Sequence, residues 1–515
     1  MKNAIAKNKI TYKNQRGSVL AYALVIMSVV MIILVSMLGY ISSQLKFSFN
    51  RVEKESAFQA AEAGIYYYRW YLAHETSGMT ALEINNFLQT GGPMGFSPSS
   101  VEYNNIGKYQ IVVTPPTSGS TIINVESTGW SDKVPDMKRT IKARFRRPSW
   151  SEYIFLSNSF MNFGDQAVVY GKVHSNGGIR FDGIAHNTVS SLLSSFNDPT
   201  YGGSKLQFGV HTTTNPADPT APADASSAIA PDRPDVFMGG RTFPVPEVSF
   251  TGVTTDLANM RTKAQAGQGK YFDATGSGRR INFKSDGTYD ICTVNSYNSN
   301  TKAISNYLGV ITGATGTYSG TNGTSCIVSL CCSGSSCPYI QSNKTSKGRC
   351  VSLSNYNIID NGVIFVENTT WVEGSINNKR VTVVAANLSG SGGQKDIYIG
   401  ISNNNLRYAS YDCSNMLGLV AQKDVLVLND CPSSFIVDAA LLAQGGMVGI
   451  NDNSFSGKTL LTFNGAIASY LQPYFQHGNS GFADRIYNFD NNLLYCPPPY
   501  FPTGTDYAID LWEEM

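Results

Sequence analysis

The stretch Ser18–Ile41, SVLAYALVIMSVVMIILVSMLGYI, contains no charged residue. Its length matches the roughly 20 residues that cross a hydrocarbon core as a helix. A helix is also the one single-segment structure that satisfies every backbone polar group inside lipid. Lys2, Lys7, Lys9, Lys13 and Arg16 precede it, with no acidic residue among them. Basic flanks stay on the cytoplasmic side, so the chain after residue 42 is expected outside the inner membrane.

The helical pattern continues past the apolar segment. No proline occurs before Pro93, and Gly39 and Gly64 are isolated. Leu45, Phe49, Val52, Ala61, Ile65, Tyr68 and Leu72 recur largely at helical spacing, interrupted near Ser56. The spacing predicts one helix of roughly 55 residues, about 80 Å long, ending near Gly78.

Three readings of this amino end compete. A cleaved secretory signal has a shorter apolar core closed by a small-residue site. A plain signal anchor keeps the whole segment. The third rests on Gln15-Arg16-Gly17-Ser18, which places a glycine between the basic leader and the apolar helix. That junction resembles a prepilin signal. The resemblance implies cleavage by a prepilin peptidase after Gly17, methylation of the new amino terminus at Ser18, and retention of the helix.

Phe58-Gln59-Ala60-Ala61-Glu62-Ala63-Gly64-Ile65-Tyr66 is similar to the AAEAG motif of PilX-type minor pilins. The resemblance implies that the helix packs against other pilin or pseudopilin subunits, with Tyr22, Ala61, Glu62 and Gly64 as assembly residues. Bulk pilins carry Glu at the fifth mature position, where this chain has Tyr22. An unpaired carboxylate in lipid is expensive. Tyr22 therefore points to a minor, priming or tip subunit, or to one that never enters a fibre.

After Gly107 the period changes. Lys108–Thr114, Ile122–Gly129 and Lys138–Arg146 read as strands of a small antiparallel sheet, with Pro115-Pro116 and the Ser/Gly run 118–120 as turn signals. The expected division is a leader at 1–17, a transmembrane and amphipathic helix at 18–78, a small β domain at 79–148, and a large β-rich extracellular domain at 149–515. The class is α+β.

In the large domain, Gly164-Asp165 and Val169-Tyr170-Gly171-Lys172-Val173-His174-Ser175-Asn176-Gly177 resemble the DUF4900/DUF7305-type domains attached to PilX-like amino termini. Asp484-Arg485-Ile486-Tyr487-Asn488-Phe489-Asp490, the run Pro497–Pro502 and Trp512-Glu513 resemble their closing element. Between lie short apolar runs, among them Gly362–Val366, Thr370–Ile376, Val381–Ala386, Leu417–Ala421 and Phe435–Ala443. Each is too short to stand alone. Stacked rung on rung they would bury a continuous core as a right-handed parallel β-solenoid. Scarce hairpin dipeptides favour that arrangement, and a β-sandwich is the alternative.

The nine cysteines include Cys326, Cys331, Cys332, Cys337 and Cys350, crowded in a Ser/Gly/Thr-rich insertion at 292–350. In an exported chain they read as disulfides, with Cys413 and Cys431 as further candidates, and the odd total leaves a thiol over. No zinc spacing accompanies them, and no metal or cofactor is expected.

No His-x-x-x-His, Cys-x-x-Cys or Gly-x-Ser-x-Gly arrangement accompanies the five histidines. His174, Asp165 and Asp182 are not constrained together by the sequence, and Asp484, Arg485, Tyr487 and Asp490 read as a closing polar network. Formal net charge is +2, giving no global field for nucleic acid. The leading expectation is a structural, non-enzymatic pilus component whose body meets an unknown surface ligand. The alternative is a membrane-anchored polysaccharide-active enzyme using an acidic pair on a solenoid.

Overall fold

The computed structural model describes residues 16–76, 79, 81–116, 122–147, 149–201, 203, 205–222, 229–250, 253–295, 297–304, 317–319, 325–327, 350–390, 392–451, 455–478, 480–503 and 507–515. It consists of a long helix, a small antiparallel sheet and a large, mostly β body.

Helix α1 runs unbroken over Arg16–Glu75, 60 residues, about 90 Å at 1.5 Å per residue. Hydroxyls inside its apolar half turn back onto the helix. Ser28 Oγ donates to the Leu24 carbonyl at 2.7 Å, and Ser36 Oγ to that of Ile32 at 2.8 Å. Such back-bonding removes the cost of a polar group in an apolar surrounding.

The second half of α1 lies on the small sheet. Its strands are β1 (Val101–Tyr103), β2 (Gly107–Thr114), β3 (Ile123–Ser131) and β4 (Lys138–Arg146), paired antiparallel in that order. Burial alternates strictly along β3, as expected for a sheet with one covered face. Ile65, Tyr68 and Leu72 meet Ile111, Val125, Ala143 and Phe145 in one core, which Ile84 and Leu88 of α2 (Ala81–Thr90) close at the side.

The last strand of the chain, Ala508–Glu514, belongs to this same sheet. It pairs antiparallel with β4, Ala508 opposite Arg146 and Trp512 opposite Ala143. The division at residue 149 assigns that strand to the large domain. In the structure the body is spliced between two neighbouring strands of the small sheet. The two connections run side by side, with Ser149 bridged to Thr503 and the Trp150 amide donating to the Pro502 carbonyl at 3.1 Å.

The body is built on one long ladder. Its strands follow the spatial order 269–272, 362–366, 380–385, 416–421, 434–443, 457–469, 153–157, 172–175, 189–191 and 241–242, and each neighbouring pair is parallel. A second parallel ladder runs beside it through 278–283, 370–376, 397–399, 425–427 and 448–450. An antiparallel exception joins 278–283, 288–294 and 350–357, the strands from which the Cys-rich insertion leaves.

Spatial order is not chain order. The chain enters at 153–157, inside the ladder, and runs outward to 241–242 at one end. It crosses by way of helix α3 (Val253–Gln265) to the other end at 269–272, then returns to 457–469 beside its own entry strand. Alternate residues of a rung face two cores. Ile364 and Val366 point into the stack, whereas Val363 and Phe365 pack outward under Leu257, Met260 and Ala264 of α3. Two covered faces explain why Gly362–Val366 is buried at every position.

Candidate functional site

α1 changes character at about Glu53. Side chains from Val19 to Phe47 are exposed without exception, and Tyr22 is 69% exposed. This is the segment long and apolar enough to cross a membrane. Leaving such a row in water is strongly unfavourable, at about 1.5–3 kcal/mol for each large apolar side chain. The segment therefore requires lipid or other helices around it. Gly17 and Ser18 fall in the first turn of α1, and the expected leader up to residue 15 lies outside the described residues.

Glu53 is buried, with Ser131 Oγ donating to it and Lys133 Nζ 3.4 Å away. Beyond it, Ala57, Ala60, Ala61 and Gly64 form a small-residue strip pressed onto β3. A Cβ on Gly129 would meet the Ala57 carbonyl oxygen at 2.2 Å and the Ala61 nitrogen at 2.3 Å, and one on Gly64 would meet Ser127 Oγ at 2.2 Å. Ala61 and Gly64, expected as assembly residues, press against the chain's own sheet, where their small size permits the close approach. Glu62 is half-buried on the same turn.

The cysteines divide. Cys413 is bonded to Cys496, and Cys292 is also disulfide-bonded. The Cys413–Cys496 bond fastens the proline-rich return segment across the body, where Arg380 Nη2 donates to the Pro497 carbonyl at 2.8 Å and Thr382 Oγ1 to that of Pro499. Cys431, expected as a disulfide candidate, is a free thiol buried in the stack. Burial pushes its pKa up to about 12, which makes it an inert core side chain. Cys326 and Cys350 stand on strands, while Cys331, Cys332 and Cys337 lie outside the described residues.

His174 and Asp182 are engaged separately. His174 is buried between Ser190 Oγ at 3.0 Å and Asn176 Oδ1 at 3.2 Å, and burial lowers its pKa. Asp182 accepts from the Thr213 amide at 2.6 Å and from Arg180 Nε at 2.7 Å. Burial raises its pKa, but these donors outweigh it and hold the carboxyl below its ordinary value. The expected closing network also separates. Tyr487 is in the core, Asp484 is exposed, and Asp490 caps the short turn that follows it.

Two features had no clear signal in the sequence. Buried His211 Nε2 pairs with Asp198 Oδ2 at 2.9 Å. In a row across the stack, Asn464 Nδ2 donates to Asp438 Oδ1 at 2.7 Å and Asn488 Nδ2 to Asn464 Oδ1 at 2.9 Å. Asp438 also accepts the Tyr411 hydroxyl and the Tyr408 amide. The parallel register that aligns 438, 464 and 488 creates this ladder. A cleft of about 530 Å³ opens where residues 155–167 approach 472–487.

No family model and no curated protein matches this chain. Among solved structures it is similar to the competence-associated pilin ComZ from Thermus thermophilus, with a TM-score of 0.32 and 13% identity over 90% of this chain and 97% of that one.

Proposed function

We propose that this chain is a minor pilin or pseudopilin, a structural subunit of a type IV pilus-like machine that holds a large β body outside the inner membrane. The observation that carries the reading is the split character of α1. One half is an apolar rod that none of the described residues covers, and the other is locked by small residues onto an antiparallel sheet. An anchor alone needs only the first half. A subunit that must transmit its helix position to a displayed domain needs both.

On this reading a prepilin peptidase cuts after Gly17, Ser18 becomes a methylated amino terminus, and the basic leader marks the cytoplasmic side. The exposed rod packs among the helices of other pilin subunits. Tyr22, in place of a carboxylate, suits a priming or tip position. The PilX-like amino end and the DUF4900-like body of coiled parallel rungs fit adhesion, assembly priming or macromolecule capture.

Mass spectrometry of the mature protein tests this. A methylated Ser18 terminus, lost in Gly17→Glu, is the expected outcome. An intact Met1 in cells with an active peptidase would reduce the segment to a signal anchor.

A further inference from the structure

Where the entry segment of the body meets its late strands, the stack is hydrogen-bonded on two faces and open on the third. Strand 480–489 pairs with 457–465 and with 168–169, and the entry strand 153–157 pairs with 467–469. On the third face, 161–163 pairs with 179–181 and stands at the edge of its sheet, while Tyr474 bridges to Gly449. Among the described residues no pairing joins 161–163 to 472–475. The cleft of about 530 Å³ lies in that gap, with Asn162, Phe163 and Gly164 on one side and Gln472 to His477 on the other.

A residue in a parallel ladder turns its N–H and C=O to one side, and its neighbours turn theirs to the other. Met161 N donates to the Gly178 carbonyl at 3.0 Å, and Asp182 N donates to the Phe163 carbonyl at 2.9 Å. Asn162, between them, therefore turns its N–H and C=O into the gap. Opposite, Tyr474 N donates to the Val448 carbonyl at 3.3 Å, and Ile450 N donates to the Tyr474 carbonyl at 3.2 Å. The Pro473 carbonyl and the Phe475 N–H are thus turned into the gap, whereas the Phe475 carbonyl already accepts from Phe482 N at 3.0 Å. Two donors and two acceptors face each other across the cleft in the alternation that a peptide backbone carries.

We propose that this gap is a docking site for an extended segment of another polypeptide, taken up as one more parallel strand. Three consecutive residues satisfy all four groups. The middle residue donates to the Pro473 carbonyl and accepts from the Phe475 N–H. The carbonyl of the residue before it and the N–H of the residue after it meet the N–H and C=O of Asn162. The same register sets the side chains. The middle one shares the outward face of Asn162 and Tyr474, beside the amides of Gln472 and Gln476. The outer two point inward as buried Met161, Phe163 and Phe475 do. The segment recognised is therefore small apolar, polar, small apolar, with backbone pairing supplying affinity and alternate side chains selectivity. The site belongs to the body and does not depend on processing at Gly17, so its failure and that of the pilin reading are read separately.

The test uses the full chain in lipid nanodiscs and two probes: an acetylated and amidated Ser-Val-Thr-Val-Ser peptide, and the same peptide methylated on the threonine amide nitrogen. Calorimetry reads binding, and hydrogen exchange reads individual amides. In the free protein the Asn162 and Phe475 amides should exchange faster than those of Met161 and Tyr474, which are bonded within the stack. The unmodified peptide should slow both. Methylation removes the hydrogen aimed at Pro473 and should weaken binding about tenfold or more. Asn162→Pro removes one of the four groups at an edge position where proline is tolerated and should weaken binding of the unmodified peptide similarly; the methylated peptide keeps the test independent of how that variant folds. Protection of both amides in the free protein would show the edges closed on each other or on a segment of the chain itself, and would overturn the proposal. So would the absence of heat up to about 1 mM peptide, or equal binding of the methylated peptide.

Discussion

Gly129 of β3 approaches Ala57 of α1 so closely that a Cβ on the glycine would stand 2.2 Å from the Ala57 carbonyl oxygen. The contact is backbone against backbone, so no side-chain rotation relieves it. Gly129→Ala should therefore destabilise the helix-on-sheet unit by about 3 kcal/mol, the upper part of the overpacking range. Thermal unfolding followed by circular dichroism reads the loss, and an unchanged melting temperature would refute the close packing.

Gly64 gives a contrasting case. Its nearest obstruction is Ser127 Oγ, a buried hydroxyl with no hydrogen-bond partner among the described residues. Ser127→Ala alone should be close to neutral, since it removes an unsatisfied group. It should also recover part of the stability lost in Gly64→Ala. A double-mutant cycle measures the coupling, and strict additivity would show that the two positions do not touch.

Reduction of Cys413–Cys496, which closes a separation of 83 residues, should cost about 2–5 kcal/mol. The return segment it fastens leads into the strand 508–514 of the small sheet. The Cys413→Ser/Cys496→Ser protein should therefore show faster proteolysis at both 490–503 and the carboxyl-terminal strand. Cleavage confined to the body would argue against that linkage.

Two buried groups give opposite pH signatures. Burial raises the Asp438 carboxyl despite donation from Asn464, Tyr408 and Tyr411. Its folded pKa lies above the unfolded value of about 3.9, so its contribution falls as pH rises from there through the folded pKa. Relative to the parent, Asp438→Asn should gain stability from pH 4 towards 7. Burial lowers His211 against the pull of Asp198. Its contribution is present above about pH 6.5 and is lost as pH falls towards the folded pKa. His211→Gln should flatten that acid limb. Melting temperatures across the pH range measure both slopes, and parallel curves for parent and variant would sink either assignment.

Much of the fold was legible because its signals are local. The uncharged run Ser18–Ile41, the alternation in 107–146 and the β-branched runs from 362 to 466 each report on their own segment. Stack order was not legible. The pairing of 467–469 with 155–157 joins residues far apart in the chain, and rungs without a strict repeat carry no mark of their neighbours. α3 was not legible because polar Thr, Asp, Asn and Lys dilute the helical pattern of its buried apolar residues Leu257, Met260 and Ala264. The AAEAG motif carries no mark of what its small residues approach, and the close neighbours of Ala61 and Gly64 among the described residues lie in the chain's own small domain. The cleft joins residues 155–167 with residues 472–487, segments far apart in the chain that only the stacked strands bring together.

Splicing the body between β4 and the last strand also has a mechanical consequence. Both connections leave the sheet at the same end, where Arg146 and Ala508 face each other, and the Ser149–Thr503 bridge keeps them abreast. Traction on the body along those strands pulls the two together against β3. The β3–β4 hydrogen bonds then share the load in shear instead of opening one by one, so the graft point is suited to bearing tension.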